Sequence, residues 1–271
     1  MTGMVLGAAG LAAAAAASAR WNWWRPKRAG LPIPMYHHIG TPPATATLPK
    51  LWVRPEDFRR QMTYLLRHGH TPLLFTELDA ALRRKRELPE KPVLVTFDDG
   101  YADNYELAFP ILRELGVKAN IFLVCGTIGR HNAFSDPDSG PWERMLTWER
   151  IFEMRDSGLL EFGSHTMGHA DLPRIDFEQA RWEIEESKRR LEERLERPVT
   201  AFAYPYGAGA YDPKLREIVR VSGYRLDFAI RQGLSPRSWH HENGPLKRLL
   251  VRGDDFHFDF HLNMTRGKAR F

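Results

Sequence analysis

The sequence predicts an α/β fold in which repeated strand–helix units form a parallel sheet or barrel within one large domain. The chain has 271 residues, which is enough for one substantial core. From Leu31 onward, short apolar runs alternate with longer amphipathic stretches, a pattern typical of βα units. Three of the apolar runs end in unusually polar segments. In parallel α/β folds, chemistry collects where strands end and helices begin.

The individual elements follow from this alternation. Seven apolar runs predict strands: Ile33–Ile39, Val93–Phe97, Ala119–Val124, Leu160–Gly163, Ala201–Tyr204, Leu226–Ile230 and Leu249–Arg252. Six amphipathic stretches predict helices: Pro55–Arg67, Thr76–Arg86, Asn104–Leu115, Thr147–Ser157, Phe177–Leu195 and Pro213–Val221. Such a set fits a single barrel-like domain with right-handed crossovers. The segment from His131 to Pro141 predicts an inserted loop on the face where the strands end.

Composition excludes several classes of protein. Hydrophobic residues make up 43% of the chain and charged residues 27%, which is typical of a soluble globular protein and excludes global disorder. The net charge is +5, but basic and acidic residues mostly alternate, so we expect no nucleic-acid partner. Cys125 is the single cysteine, which excludes an intramolecular disulfide and a multi-cysteine metal site. Any metal must therefore be held by His, Asp or Glu.

Residues 1–30 differ from the rest of the chain and predict a separate leader or membrane anchor, while residues 31–271 predict the folded domain. Thr2–Ala19 carries no charge and is about one bilayer's worth of helix. Its end, Ala17–Ala19, also fits a signal-peptidase site. Basic residues and three tryptophans follow within Arg20–Arg28, as at a membrane interface. An anchor and a cleaved leader both remain open.

The first polar strand end is Thr96–Gly100, in which an apolar strand runs into Asp98 and Asp99. Adjacent residues on an extended chain point in different directions, so one carboxylate can bind a cation while the other handles a proton. Taken alone, the motif is more often a turn with a helix N-cap than a catalytic site.

The second polar strand end contains His165 and His169, which are four residues apart and flanked by Gly163 and Gly168. Histidines at this spacing lie on one side of a helical turn and can share a metal, although isolated pairs are more often surface or packing groups. Their position after a strand favours a site. Together with Asp99 they would give three protein ligands and leave positions open for water, as in a catalytic metal site.

The third polar strand end is Ala201–Gly207, where a strand runs into a stiff Tyr-Pro-Tyr-Gly bend that can aim a backbone N–H and aromatic faces at a substrate. Such a segment alone is most often just a turn. An earlier strand carries His37 and His38, which alternation sends to opposite faces, so that at most one of them faces the site.

Together, Thr96–Gly100, Ser164–His169 and Pro205–Gly207 resemble the motifs of the polysaccharide deacetylase (NodB-homology) family, carbohydrate esterase family 4. The resemblance covers about Leu31 to Asp254. The Tyr36–Ile39 opening is similar to the subgroup containing poly-N-acetylglucosamine deacetylases. This resemblance implies a distorted (β/α) barrel of the NodB type and a hydrolase that removes N-acetyl groups from amino-sugar units of an exopolysaccharide or cell-wall glycan.

The resemblance also implies roles for individual residues. Asp99, His165 and His169 would hold a divalent metal, for which we expect zinc. Asp98 would be the catalytic base. The Tyr206 backbone N–H would stabilise the developing oxyanion.

Two positions depart from the family's pattern. Members commonly take the leaving-group proton from a histidine in a late Leu-x-His motif, but the matching region, Leu249–Asp254, has none. We therefore assign the acid to His37, by resemblance to the subgroup. Ala203 stands where many members carry an arginine that orients the base.

Two other functions share these residues: a different carbohydrate esterase or small-molecule amide hydrolase on the same fold, and an inactive glycan-binding protein. The aromatic-rich loops around Trp142, Trp148 and Trp239 favour sugar stacking over a closed pocket, although tryptophans are more often core residues. We expect the protein in the cell envelope, anchored or exported, although the basic flank also allows a body facing the cytoplasm. The sequence does not indicate an oligomeric state.

Overall fold

A closed barrel of seven parallel strands forms the centre of the computed structural model, which describes Ser18, Arg20, Trp21, residues 23–132 and residues 142–270. The barrel strands are β1 (Pro34–Tyr36), β2 (Thr96–Phe97), β3 (Ala119–Leu123), β4 (Leu160–Ser164), β5 (Ala201–Ala203), β6 (Leu226–Gln232) and β7 (Leu246–Leu250). Each strand pairs with the next, and β7 closes on β1 through Pro34 and Leu249. The register between β6 and β7 shifts through a bulge. The predicted distorted barrel is confirmed.

Two predicted strands are interrupted. His38–Ile39 leaves β1 to pair with Trp52–Val53, and Pro92–Val93 pairs with Thr71–Pro72 before the chain enters β2. Apart from His37, His38 and Thr96, both runs are apolar, and each predicts a single strand. The structure divides them because each run contributes to two different sheets.

Seven α-helices lie among the described residues: α1 (Pro55–Arg67), α2 (Phe75–Leu82), α3 (Phe109–Leu115), α4 (Trp148–Asp156), α5 (Phe177–Leu195), α6 (Pro213–Val221) and α7 (His257–Arg266). The bounds of α1, α5 and α6 agree with the sequence prediction. Proline begins α1 and α6, and Asp176 and Asp212 accept backbone hydrogen bonds at the starts of α5 and α6. The predicted helix 104–115 is divided, because Asn104–Ala108 forms a π-helical turn ahead of α3.

The core has two parts, separated by the barrel wall. Inside the barrel, Phe122, Phe228 and Leu246 belong to one buried apolar cluster. A larger cluster fills the space between the strands and the surrounding helices. Because apolar side chains fill the interior, the polar groups that follow the strands are left at one rim of the barrel.

The segment leading into the barrel packs against α7, a helix that the sequence patterns did not predict. The Trp21 indole donates to Asp259 (2.8 Å), and the Arg266 guanidinium donates to the Trp23 carbonyl (2.9 Å). Within the described residues, no helix has the length and apolarity needed to cross a bilayer. Most of the apolar run Thr2–Ala19 and of the predicted loop at 131–141 lies outside the described residues. The domain boundary at residue 31 stays a prediction.

Candidate active site

Asp98 and Asp99 follow β2 and diverge as the sequence predicts. The Asp98 backbone N–H donates to the Tyr36 carbonyl on β1 (2.9 Å), which fixes the first carboxylate at the rim. Asp99 and Gly100 then both adopt positive φ, 71° and 83°. A Cβ at Gly100 would lie 2.7 Å from the Leu123 side chain, so this sharp turn requires glycine. The turn sends the two carboxylates into different contacts.

The turn after β4 brings His165 and His169 together, but it is not the helical turn that their spacing predicts. Thr166 and His169 have φ of 68° and 59°, so the segment is a compact irregular turn. Its shape is held by Glu183 on α5, whose carboxylate accepts the backbone N–H groups of Met167 and Gly168, each at 2.8 Å. An acidic side chain on a packed helix thus fixes the position of the histidine pair.

Asp99, His165 and His169 form a group whose ligand atoms all lie within 4.8 Å of one another. Asp99 Oδ1 lies 3.5 Å from His165 Nε2 and 3.3 Å from His169 Nε2. This oxygen is buried and has no hydrogen-bond partner among the described residues. A buried carboxylate oxygen without a partner is costly, and a cation between these atoms would satisfy it. Two imidazoles and one carboxylate suit a divalent metal such as zinc.

The tautomer of His165 also suits a ligand. Its Nδ1 donates to the Ala203 carbonyl (2.7 Å), which can only accept, so Nε2 presents a lone pair toward Asp99. Burial lowers the pKa of His165 to about 4, so the ring is neutral near pH 7. Burial alone would raise the pKa of Asp99, but the neighbouring His169, together with His37 and His165, outweighs it and the pKa is lowered.

Asp98 forms a buried pair with Arg248 of β7. The two guanidinium nitrogens donate to the two carboxylate oxygens at 2.5 and 2.8 Å, and Arg248 Nε donates to the Ala229 carbonyl. Arg248 is 0% exposed and Asp98 is 1% exposed. Burial would raise the pKa of Asp98, but the charge and hydrogen bonds of Arg248 together with the nearby His165 and His37 outweigh it, and the pKa is lowered. Arg248 therefore supplies the orienting charge that Ala203 cannot.

His37 and His38 lie in different environments, as alternation predicts. Burial lowers the pKa of His37, opposed by the charges of Asp99 and Asp98, so His37 belongs to the site. Its Nδ1 is buried without a hydrogen-bond partner among the described residues. His38 instead is stacked between Trp52 and Tyr101, with ring centroids at 3.8 and 3.6 Å. Its Nδ1 lies 2.7 Å from an Asp103 carboxylate oxygen.

We therefore expect His37→Ala to lower turnover by a factor on the order of 10², as for loss of a positioned acid, and His38→Ala to lower it far less. Steady-state rates are measured well below the unfolding temperature of each variant, since loss of the buried His38 ring also costs stability. Small and equal effects would assign the acid to another residue.

Tyr206 lies at the tip of the loop after β5, beside the histidine pair. Its backbone has φ of 57°, and its ring centroid lies 4.5 Å from that of His169. The ring is 56% exposed, so it is open to a ligand at the rim. Gly207 follows with φ of 68°, and a Cβ there would lie 2.5 Å from the Ile230 side chain. The loop is thus tightly fitted against β6.

Left-handed backbone is concentrated at this rim. Of the six non-glycine residues with positive φ among the described residues, four belong to the site: Asp99, Thr166, His169 and Tyr206. Each such conformation costs on the order of 1–3 kcal/mol and persists only where the surrounding structure enforces it.

The three tryptophans that the sequence analysis considered for sugar stacking lie in different environments. Trp239 is buried and donates to the Gly244 carbonyl, and Trp148 packs against the outer core, so neither offers a sugar platform. Trp142 is 52% exposed.

Comparison with known proteins gives consistent matches. A family model described as polysaccharide deacetylase matches residues 85–226, slightly more than half of the chain. YxkH of Bacillus subtilis (strain 168), whose name describes a polysaccharide deacetylase, is 31% identical over 78% of this chain and 68% of its own. The poly-β-1,6-N-acetyl-D-glucosamine N-deacetylase of Staphylococcus epidermidis is 27% identical over 75% of this chain and 69% of its own.

A solved structure shares the fold. The deacetylase PplD of Streptococcus pyogenes, determined in complex with acetate, superimposes with a TM-score of 0.70 at 27% identity, covering 83% of this chain and 94% of PplD.

Proposed function

Because the chain belongs to the polysaccharide deacetylase family and is a hydrolase, we propose that it removes N-acetyl groups from amino-sugar units of a polysaccharide. The observation that carries the proposal is the pairing, at one rim of the barrel, of an arginine-held carboxylate with the Asp99, His165 and His169 group. Amide hydrolysis needs a proton acceptor next to an electrophilic centre. The relative named as a poly-N-acetylglucosamine deacetylase supports an N-acetylated glycan as the substrate.

The Asp99, His165 and His169 group would hold a divalent metal, and zinc fits the donor set. When bound, such a cation polarises an amide carbonyl and makes a neighbouring water more acidic.

Asp98 then accepts the proton of the attacking water, and both of its oxygens are fixed in direction by Arg248. The water oxygen becomes part of the released acetate, the C–N bond breaks, and the sugar amine leaves with a proton. His37 donates that proton, because its ring lies among the charges of the site with Nδ1 uncommitted to the protein. The Tyr206 backbone N–H stabilises charge that develops on the carbonyl oxygen.

We expect the purified protein to release acetate from N-acetylglucosamine oligomers with roughly one metal bound per chain. Chelation should abolish the release and added zinc should restore it. Elemental analysis and an acetate assay measure both. His169→Ala should lose the metal, while His261→Ala, a histidine on α7 outside the group, should keep it.

Protein without bound metal whose activity is indifferent to chelator would contradict the metal site. Activity on acetylated xylan but on no N-acetylated glycan would instead identify a different carbohydrate esterase.

We further propose that the N-terminal flank holds the enzyme at a membrane of the cell envelope, so that its substrate is a surface or lipid-linked glycan. Exposed aromatic rings from both ends of the chain support this: Trp23 and Trp24 are 48% and 54% exposed, and Phe256 and Phe258 are 59% and 42% exposed. The Arg20 guanidinium lies over the Phe256 ring, 5.0 Å from its centroid. Aromatic rings beside basic residues are typical of a surface that meets anionic lipid head groups.

Cell fractionation with sequencing of the mature N-terminus tests this placement. We expect intact Met1 in the membrane fraction, because the uncharged run precedes the aromatic flank. Replacing Trp23 and Trp24 with serine should weaken binding to anionic vesicles, whereas Trp182→Ser, a 45% exposed tryptophan on α5, should not. A soluble chain that begins near Arg20 would refute the anchor.

A further inference from the structure

A pocket with a volume of about 260 Å³ lies at the C-terminal ends of β6 and β7, the end of the barrel that also carries the candidate active site. The pocket is bounded on one side by these two strands and on the other by α7 and the residues after it. Its lining includes Ile230, Gln232, Leu250, Arg252, Asp255 and Lys268. A cavity of this size admits a ligand of roughly the dimensions of one sugar residue.

Two residues of its lining lie next to residues of the site. The Ile230 side chain packs directly against Gly207, the residue after Tyr206. Leu250 lies two residues beyond Arg248, on the same face of β7 by alternation, and Arg248 holds Asp98. A polymer with one unit at Asp98 would therefore place a neighbouring unit or substituent at this pocket.

The charge of the lining is predominantly positive. Arg252, Lys268 and Arg270 face one acidic residue, Asp255. Arg270 is committed to the protein, because it contacts the Asp255 and Asp259 carboxylates at 3.0 and 3.2 Å. Asp255, the acidic residue of the lining, is therefore already paired with Arg270.

Arg252 has a different status. Its backbone N–H donates to Asp255, but its guanidinium has no hydrogen-bond or ion-pair partner among the described residues. The side chains of Gln232 and Asn263, which also line the pocket, bond to each other at 3.1 Å. The guanidinium N–H groups of Arg252 therefore have no acceptor among the other residues of the pocket. A planar guanidinium matches the geometry of a carboxylate or phosphate.

We infer that this pocket binds an anionic substituent, a carboxylate or a phosphate, on the glycan next to the sugar that is deacetylated, with Arg252 as the residue that selects it. The inference rests on the proposed deacetylase function and narrows its substrate class to anionic glycans. A neutral polymer would leave the Arg252 guanidinium without a counter-charge in the complex.

The test compares kcat/KM on three sets of oligosaccharides. The first contains N-acetylmuramic acid, which carries a carboxylate, and is also prepared with that carboxylate reduced to an alcohol. The second carries phosphate on N-acetylglucosamine. The third is neutral N-acetylglucosamine oligomer. We expect the wild-type protein to prefer one of the anionic sets, which identifies the source of the charge.

Arg252→Gln should lower the ratio of kcat/KM for the anionic substrate to that for its neutral counterpart by about tenfold to a hundredfold, as for loss of a charge-assisted hydrogen bond. Arg252→Lys should retain part of the preference. Arg60→Gln, at an exposed arginine on α1 that does not line the pocket, should leave the ratio unchanged.

Calorimetric binding of the same oligosaccharides to Asp98→Asn protein, with and without Arg252→Gln, decides the question without turnover. Equal affinity for charged and neutral ligands, or a preference that survives Arg252→Gln, would overturn the inference. Absence of acetate release from every glycan would instead refute the proposed function, while the binding comparison would still report on the pocket.

Discussion

Replacing Asp98 with asparagine is expected to lower the rate of acetate release by a factor on the order of 10² or more, because the variant lacks the proposed proton acceptor. Asparagine keeps the size of the side chain and one oxygen that can accept from Arg248, so the barrel and the Asp99, His165 and His169 group should persist. Initial rates of acetate release, bound metal and circular dichroism are measured on the same preparation.

Asp79→Asn is the matched control, since Asp79 on α2 is also a buried aspartate paired with an arginine, Arg225 at 3.0 Å. It should leave turnover near the wild-type value. Near-normal turnover in Asp98→Asn would mean that the base has been assigned to the wrong carboxylate.

Arg248→Met should be among the most destabilising single substitutions in the chain. It leaves the Asp98 carboxylate buried without its partner, and breaking a buried ion pair in this way typically costs about 3–5 kcal/mol. Adding Asp98→Asn should recover part of that loss, because the unpaired charge is then removed. Urea unfolding of the two single variants and the double variant measures the coupling.

Arg216→Met serves as a control that distinguishes loss of protein stability from loss of the orientation of Asp98. Arg216 also pairs with a fully buried aspartate, Asp227 at 2.9 Å, but that pair is not part of the rim constellation. Both arginine variants should lose stability, whereas only Arg248→Met should lose turnover at temperatures where it remains folded. An Arg248→Met protein that is as stable and as active as the wild type would contradict the assigned role.

The residues that the sequence predicted for the site are those that follow strands in short polar motifs. Asp99, His165 and His169 come together because parallel strands end at the same rim, and this topology could be predicted from the alternation of strands and helices. Their assigned roles stay predictions until the variants are measured.

Arg248 and Glu183 could not be found in this way. Arg248 lies 150 positions from Asp98 and precedes the predicted strand Leu249–Arg252, whereas the structure places it within β7. Glu183 is one of many acids on α5. The signal that could have identified Arg248 is its position in the strand. Side chains alternate along Leu246–Leu250, and Arg248 falls on the face that points into the barrel. A charged residue on an inward face requires a buried partner of opposite charge.

The bounds of helices and strands were likewise predictable where they depend on local residues and unpredictable where they depend on distant ones. Helices with proline or aspartate at their starts had predictable bounds, because those residues act locally. The interruptions of the first two strands and the docking of α7 depend on partners distant in the chain, namely Trp52–Val53, Thr71–Pro72 and the N-terminal flank. Local patterns carry no information about such partners.

The left-handed residues at the rim limit where this enzyme can be stabilised by substitution. Glycine would relieve the backbone strain at Asp99 and His169, but it would also remove two of the proposed metal ligands, so we expect stabilisation there to cost activity. Arg84 and Glu196 have φ of 57° and 53° and lie just beyond the ends of α2 and α5, outside the site. Thermostability can therefore be improved at the periphery of the barrel. The backbone strain at the rim cannot be removed in the same way, because the strained residues carry the side chains of the site.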